Sequence, residues 1–222
     1  MIDKIPPGAS LDLDIICHSR GGLVARSLTE RPEEALKGRR IRVHRTALVG
    51  TTNNGTILAS IKHWNDMIDT LSTVINTIGF AVGDAAELVL AFVQDFAEAA
   101  SLELRGLAAM VPDGPFLKTF NARLPRETKY LAIASNFEPI DGKLSSYFNN
   151  IVKDTIFERN ENDCMVRIDS VRGSDVEGQF RRVEETLILD GSKGIEHSRY
   201  FGNQDVADRL VSWLEAGLAV HA

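Results

Sequence analysis

The stretch 15-IICHSRGGLVAR-26 decides the fold. An apolar run ends in a short polar cluster, His18–Ser19–Arg20, turns on Gly21 and Gly22, and resumes with residues that favour a helix. Upstream, Leu11 to Cys17 alternates at first and then becomes continuously apolar, as a buried parallel strand does. A buried strand that stops on a serine and turns into a helix is the context of the G-x-S-x-G nucleophile elbow. In that motif small residues two before and two after the serine let the chain turn. Cys17 and Gly21 hold those places here, and Gly22 allows the helix to approach the strand. The plain alternative is a strand-to-helix connection that contains a serine. A phosphate-cradling loop with Cys17 as nucleophile does not fit, because its clamping arginine belongs about six residues on, where Leu23 stands. Cys17 reads instead as a small core residue.

Working outward, strands are predicted over 11–17, 43–50, 129–135 and 182–189, with helices over 21–30 and 204–218. Strands separated by helical segments predict an α/β fold, a mostly parallel sheet flanked by helices. The segment after the second strand has another periodicity. Ile61, Trp64, Ile68, Leu71, Ile75 and Ile78 fall on one helix face, the run 79-GFAVG-83 breaks it, and Leu88, Phe92 and Phe96 mark a second apolar stripe. A helical-hairpin cap over 57–121 is therefore predicted, inserted in a core made of 1–56 and 122–222. Residues 57–111 carry seven acids and two bases, a difference of -5 within a chain of net charge -6. An anionic membrane surface would repel such a segment.

Composition limits the partners. The chain has 222 residues, 44% of them hydrophobic and 25% charged, as in ordinary globular proteins. Its net negative charge argues against nucleic acid, which needs a basic face. No apolar run has the length of a transmembrane helix. The two cysteines, Cys17 and Cys164, have no disulfide-rich spacing, which favours a reducing, cytoplasmic location. No metal or other cofactor is called for.

A serine hydroxyl becomes a useful nucleophile when a histidine takes its proton and a carboxylate orients that histidine. Of five histidines, His18 adjoins the nucleophile with its ring expected to point away, and His44 begins the second strand, far from the site. His63 lies in the hairpin and His221 near the end of the sequence. His197, between the last strand and the last helix, falls at the carboxyl edge of the sheet where ligands gather. For the acid, Asp163, Asp169 and Asp175 all lie between the third and fourth strands, and position alone leaves them in competition.

These residues resemble the serine esterases and lipases of the α/β-hydrolase superfamily, especially bacterial triacylglycerol lipases and GPI inositol-deacylase-like proteins. The run 17-CHSRGGLVAR-26 looks like their G-H-S-x-G-G elbow, and 47-ALVGTTNNGT-56 is similar to the segment after their next strand, with Thr52 where proline is usual. The run 106-GLAAMVPDGPFLKTFN-121 resembles the segment that closes their cap. The run 162-NDCMV-166 resembles the N-D-G-[LM]-V around their aspartate, and 196-EHSRYFGN-203 the stretch around their histidine. The resemblance implies Ser19 as nucleophile, Asp163 as orienting acid, His197 as base and the Arg20 N–H as oxyanion donor. It implies an ester or lipid-like small-molecule substrate.

The sequence also departs from that pattern. Such folds have several strands before the elbow strand, and here about ten residues precede it. A second oxyanion donor normally comes from a loop in that earlier part; the loop at Asn53 and Asn54 is the nearest substitute. The elbow strand would form an apolar sheet edge, open to a second copy or another chain. The favoured expectation is that Met1 is internal to a longer protein, which keeps a secreted location open. The rival reading is a non-catalytic hydrolase-like binding module, or an inactive C-terminal fragment of a larger hydrolase.

Overall fold

The computed structural model describes residues 10–30, 40–60, 104–122, 128–138 and 156–218, with the single residues 6, 8 and 154. The predicted hairpin helices over 61–100 lie outside the described residues, as do His63 and His221. Strands β1 (Ser10–His18), β2 (Arg40–Val49), β3 (Lys129–Ser135) and β4 (Glu185–Leu189) form a parallel sheet in the order β1-β2-β3-β4. The helices are α1 (Gly21–Thr29), α2 (Leu104–Ala108), α3 (Pro115–Asn121), α4 (Ile168–Arg172) and α5 (Gln204–Leu218). The α/β class expected from the sequence is the class observed.

Strand alternation builds two cores. Leu48, Ala132 and Ala134 face one side with Cys17, Ala25 of α1, Val171 of α4 and Phe180. Ala47, Val49, Leu131 and Ile133 face the other, against Val206, Leu210 and Trp213 of α5. The three α5 residues are spaced four and three apart, the stripe of an amphipathic helix. Successive strand residues therefore point to opposite layers, and the fully buried run from Leu131 to Ser135 is that of a central parallel strand.

The starts of β2 and β4 each differ from expectation by three residues. β2 begins at Arg40, and its register with β1 skips His44, because Leu13 pairs Val43 while Asp14 pairs Arg45. His44 sits at this bulge and binds Asp12 Oδ1 at 2.8 Å. β4 begins at Glu185, since Arg182 N–H is given to Ser174 and Val183 N–H to Arg172 rather than to the sheet. The short helix α4 went unpredicted.

Among the described residues β1 has a single neighbour and forms a sheet edge. Asp12, Asp14 and Ile16 of β1 are exposed, Ile16 by 44%. The helix after β1 is anchored by a buried arginine. Arg26 pairs with Glu30 at 2.8 and 3.2 Å, reaches Asn121 Oδ1 at 2.9 Å, and lies over the Phe180 and Phe120 rings at 3.9 and 4.7 Å. Pairing with Glu30 and stacking on the aromatic faces offset the buried charge. Asn121 in turn gives Nδ2–H to Asn53 O and Asn54 Oδ1, both at 3.1 Å, so α1, α3 and the loop after β2 form one unit.

Candidate active site

All four strands end at the same edge of the sheet, and the site is built there. β1 runs out at His18, and the next residue, Ser19, has φ +54°. A left-handed backbone at a residue bearing a Cβ is strained, by about 1–3 kcal/mol, and needs surrounding structure to hold it. Here Ser19 N–H donates to Val49 O at 3.1 Å, and Ser19 O accepts from Gly22 N–H at 3.0 Å as α1 begins. Ser19 thus stands on a sharp turn between strand and helix, the geometry of an elbow.

The small residues around it act differently from one another. A Cβ built on Gly22 would lie 2.6 Å from Thr51 Cβ, so this glycine lets α1 close onto the loop after β2. A Cβ on Gly21 would lie 3.7 Å from Cys17 Cβ, an ordinary contact. Gly22 is therefore the sterically required member. Cys17 is buried, gives its thiol hydrogen to Ala47 O at 3.2 Å, and has a pKa pushed up to about 12 by burial, eased slightly by Arg26. Such a thiol stays protonated and unreactive. The Arg20 side chain lies against α2, where a Cβ on Gly106 would collide with its guanidinium.

Across the sheet edge, Asp163 is fully buried and carries four hydrogen bonds on its two oxygens. Oδ1 accepts the backbone N–H groups of Met165 at 3.0 Å and Val166 at 2.7 Å. Oδ2 accepts from His197 Nδ1 and from the Tyr200 hydroxyl, both at 2.8 Å. A carboxylate only accepts, so His197 Nδ1 carries the hydrogen and Nε2 is left as the basic nitrogen. The His197 N–H also donates to Asp163 O at 2.9 Å. The site reaches the elbow through His18, whose ring lies 4.6 Å from that of His197. Among the described residues no hydrogen bond joins Ser19 Oγ to His197 Nε2; in a site without substrate that bond is often open.

The remaining candidates fall elsewhere. Asp169, on α4, is exposed and pairs with Arg167 at 2.5 Å. Asp175 is exposed and pairs with Arg182 at 2.9 Å. The loop suggested as a second oxyanion donor is otherwise engaged. Asn53 Nδ2–H goes to Thr51 Oγ1 and Val171 O at 2.9 and 2.7 Å, and Asn54 N–H goes to Ser170 Oγ at 3.1 Å. These donors hold the loop together. Among the described residues no group of His, Cys, Asp and Glu is placed to hold a metal, and no helix is long and apolar enough to cross a membrane.

A family model described as "Domain of unknown function (DUF7379)" matches residues 1–215. The chain belongs to the DUF7379 family. No curated protein matches the sequence. Among solved structures, the Bacillus licheniformis lipase BlEst2 in mature form is similar with a TM-score of 0.46 and 19% identity, over 88% of this chain and 64% of its own. The metagenomic carboxyl esterase MGS0156 is similar with a TM-score of 0.42 and 17% identity, over 90% of this chain and 48% of its own. The chain spans less than two-thirds of the length of either structure.

Two residues of this DUF7379 member escaped the sequence reading. Tyr200 is fully buried and shares Asp163 Oδ2 with His197; burial, the Asp163 charge and that hydrogen bond all raise its pKa, so it stays a neutral donor. Gly50 has φ +54°, and a Cβ there would lie 2.8 Å from Tyr200 Cε2, 3.2 Å from Asp163 Oδ2 and 3.3 Å from His197 Nδ1. Glycine at the end of β2 leaves room for the Asp163–His197 pair. Its place directly after a buried strand was the one available signal; Tyr200 gave none.

Proposed function

We propose that this chain is a serine carboxylic-ester hydrolase. The observation that carries the reading is a single edge of the sheet holding both a strained Ser19 and a histidine whose Nδ1–H is fixed 2.8 Å from buried Asp163. Ser19 Oγ attacks the acyl carbon, and its proton passes to His197 Nε2. The Asp163 carboxylate stabilises the imidazolium, and the Arg20 N–H meets the oxyanion. Collapse of the tetrahedral intermediate expels the alkoxide, which takes the proton from His197 and leaves an acyl-serine. Water, deprotonated by the same histidine, then releases the acid. An oxyanion donor is worth on the order of 100- to 1,000-fold in rate, which is the share this reading assigns to the Arg20 N–H.

A second reading has support of its own. The β1 edge and exposed Ile16 suit a hydrolase-like module that binds a partner strand. The deciding experiment is hydrolysis of p-nitrophenyl butyrate by the chain and by Ser19→Ala, with fluorophosphonate labelling alongside. Turnover and stoichiometric labelling, both lost in the variant, are expected. A folded chain whose activity survives Ser19→Ala, or whose serine ignores the probe, would turn the reading toward the binding module.

A further inference from the structure

His18 is the residue that connects the two halves of the site. It is the last residue of β1 and the neighbour of Ser19, and its Nε2 lies 2.9 Å from the backbone oxygen of His197. A carbonyl oxygen only accepts, so His18 Nε2 carries the hydrogen. The His18 ring packs on the His197 ring at 4.6 Å with 37° between planes, and Phe201 abuts it edge-on at 5.7 Å. His197 is thus held by three hydrogen bonds, of which two go to Asp163 and one comes from His18. Among the described residues, only the last runs to the elbow.

We infer that His18 is a positioning residue that sets the reach between Ser19 and His197, through its Nε2–H donated to the His197 carbonyl. The inference rests on the proposed esterase reading for its catalytic consequence, but the link itself is a property of the folded chain. Ring contact adds a condition on charge. During acylation His197 becomes cationic, and a neutral ring stacked on it presents a π face rather than a like charge. Burial and the neighbouring His197 lower the His18 pKa, while its bond to the His197 carbonyl and the Asp163 charge oppose the shift. Among the described residues, the titratable groups facing His18 are His197, Asp163 and the Tyr200 phenol, the last 6.1 Å away ring to ring. The lowered pKa favours the uncharged Nε2–H form of His18 beside His197.

Two substitutions separate the link from mere packing. His18→Gln carries an amide N–H to about the same place without the ring, whereas His18→Phe keeps the ring and loses the donor. Histidine-selective ¹⁵N NMR of the whole chain across pH 5 to 9 (wild type and both variants) is the test, independent of turnover. The expected spectrum has His18 in its Nε2–H form. The His197 signals of His18→Gln should follow the wild type, and those of His18→Phe should move. A bare His18 Nε2, or His197 signals identical in all three proteins, would overturn the inference. In steady-state assays His18→Phe is expected to lose kcat on the order of 100-fold with KM little changed, as for a catalytic group misplaced by about 1 Å. His18→Gln should recover most of it, and equal losses in both variants would also overturn the link. If the wild type hydrolyses no ester, the functional reading fails while the NMR result still decides the role of His18.

Discussion

The two halves of the site are built by opposite means. On the elbow side, Ser19 is placed by backbone strain and by the absence of side chains, since Gly22 would strike Thr51 if it bore a Cβ. On the acid–base side, Asp163 is placed by an excess of bonding, with four donors on two buried oxygens. The first mechanism stores energy in a short contiguous run of sequence. The second spreads it over partners that only the tertiary fold brings together. On the proposed assignment, a nucleophile that must project from the protein suits the first, and an acid that must never move suits the second.

The sharpest way to break this comparison is Ser19→Gly. Glycine accepts a left-handed backbone freely, so the variant should lose ester turnover by at least about 10⁴-fold while gaining roughly 1 kcal/mol of stability in urea unfolding. Lost turnover without that gain would show that the elbow is unstrained. On the other side, Asp163→Asn should lower kcat on the order of 10⁴-fold, since it leaves the imidazole wrongly held. Asp169→Asn, at an exposed pair, should change kcat by less than about twofold. Comparable losses would mean that the bonding around Asp163 is structural only.

Within the elbow, Gly22→Ala is expected to destabilise by about 1–3 kcal/mol through overpacking against Thr51. Gly21→Ala, with 3.7 Å of room, should stay within about 1 kcal/mol of wild type. Thermal melts of the two variants read the difference directly, and a reversed order would refute the assignment of Gly22 as the close-packing residue. The smallest effect concerns pH. Because the native fold lowers the His18 pKa, the unfolded chain binds this proton first as pH falls. Stability should therefore decline from the ordinary histidine value near about 6.5 down through the lowered native one. The decline should be shallower in His18→Gln; parallel curves for the two proteins would remove His18 from the acid response.

The same contrast explains what the sequence disclosed. The elbow was legible because its requirements are local: an apolar strand, a serine, small neighbours and a helix follow in order within twelve residues of quoted sequence. β3 and α5 were legible at their full lengths because one is continuously apolar and the other evenly striped. Asp163 was not separable from Asp169 or Asp175 on residue type and position, because all three are acids in polar loop sequence. What sets Asp163 apart is the backbone of Met165 and Val166 folding back on it, with His197 and Tyr200 arriving from beyond β4. The resemblance in 162-NDCMV-166 pointed to the one of the three that the fold buries and bonds to His197. The β2 bulge at His44 and the role of Gly50 likewise depend on which strand lies alongside.

One consequence of this layout concerns the order of synthesis. The elbow occupies the opening of the described chain, whereas His197 and Tyr200 follow the last strand. A nascent chain on the ribosome therefore displays Ser19 long before the histidine that would activate it has been made. Until β4 docks on β3 and carries those residues into place, the serine is an ordinary alcohol. On the proposed assignment, the polypeptide stays chemically quiet from the synthesis of Ser19 until the residues that follow β4 have docked.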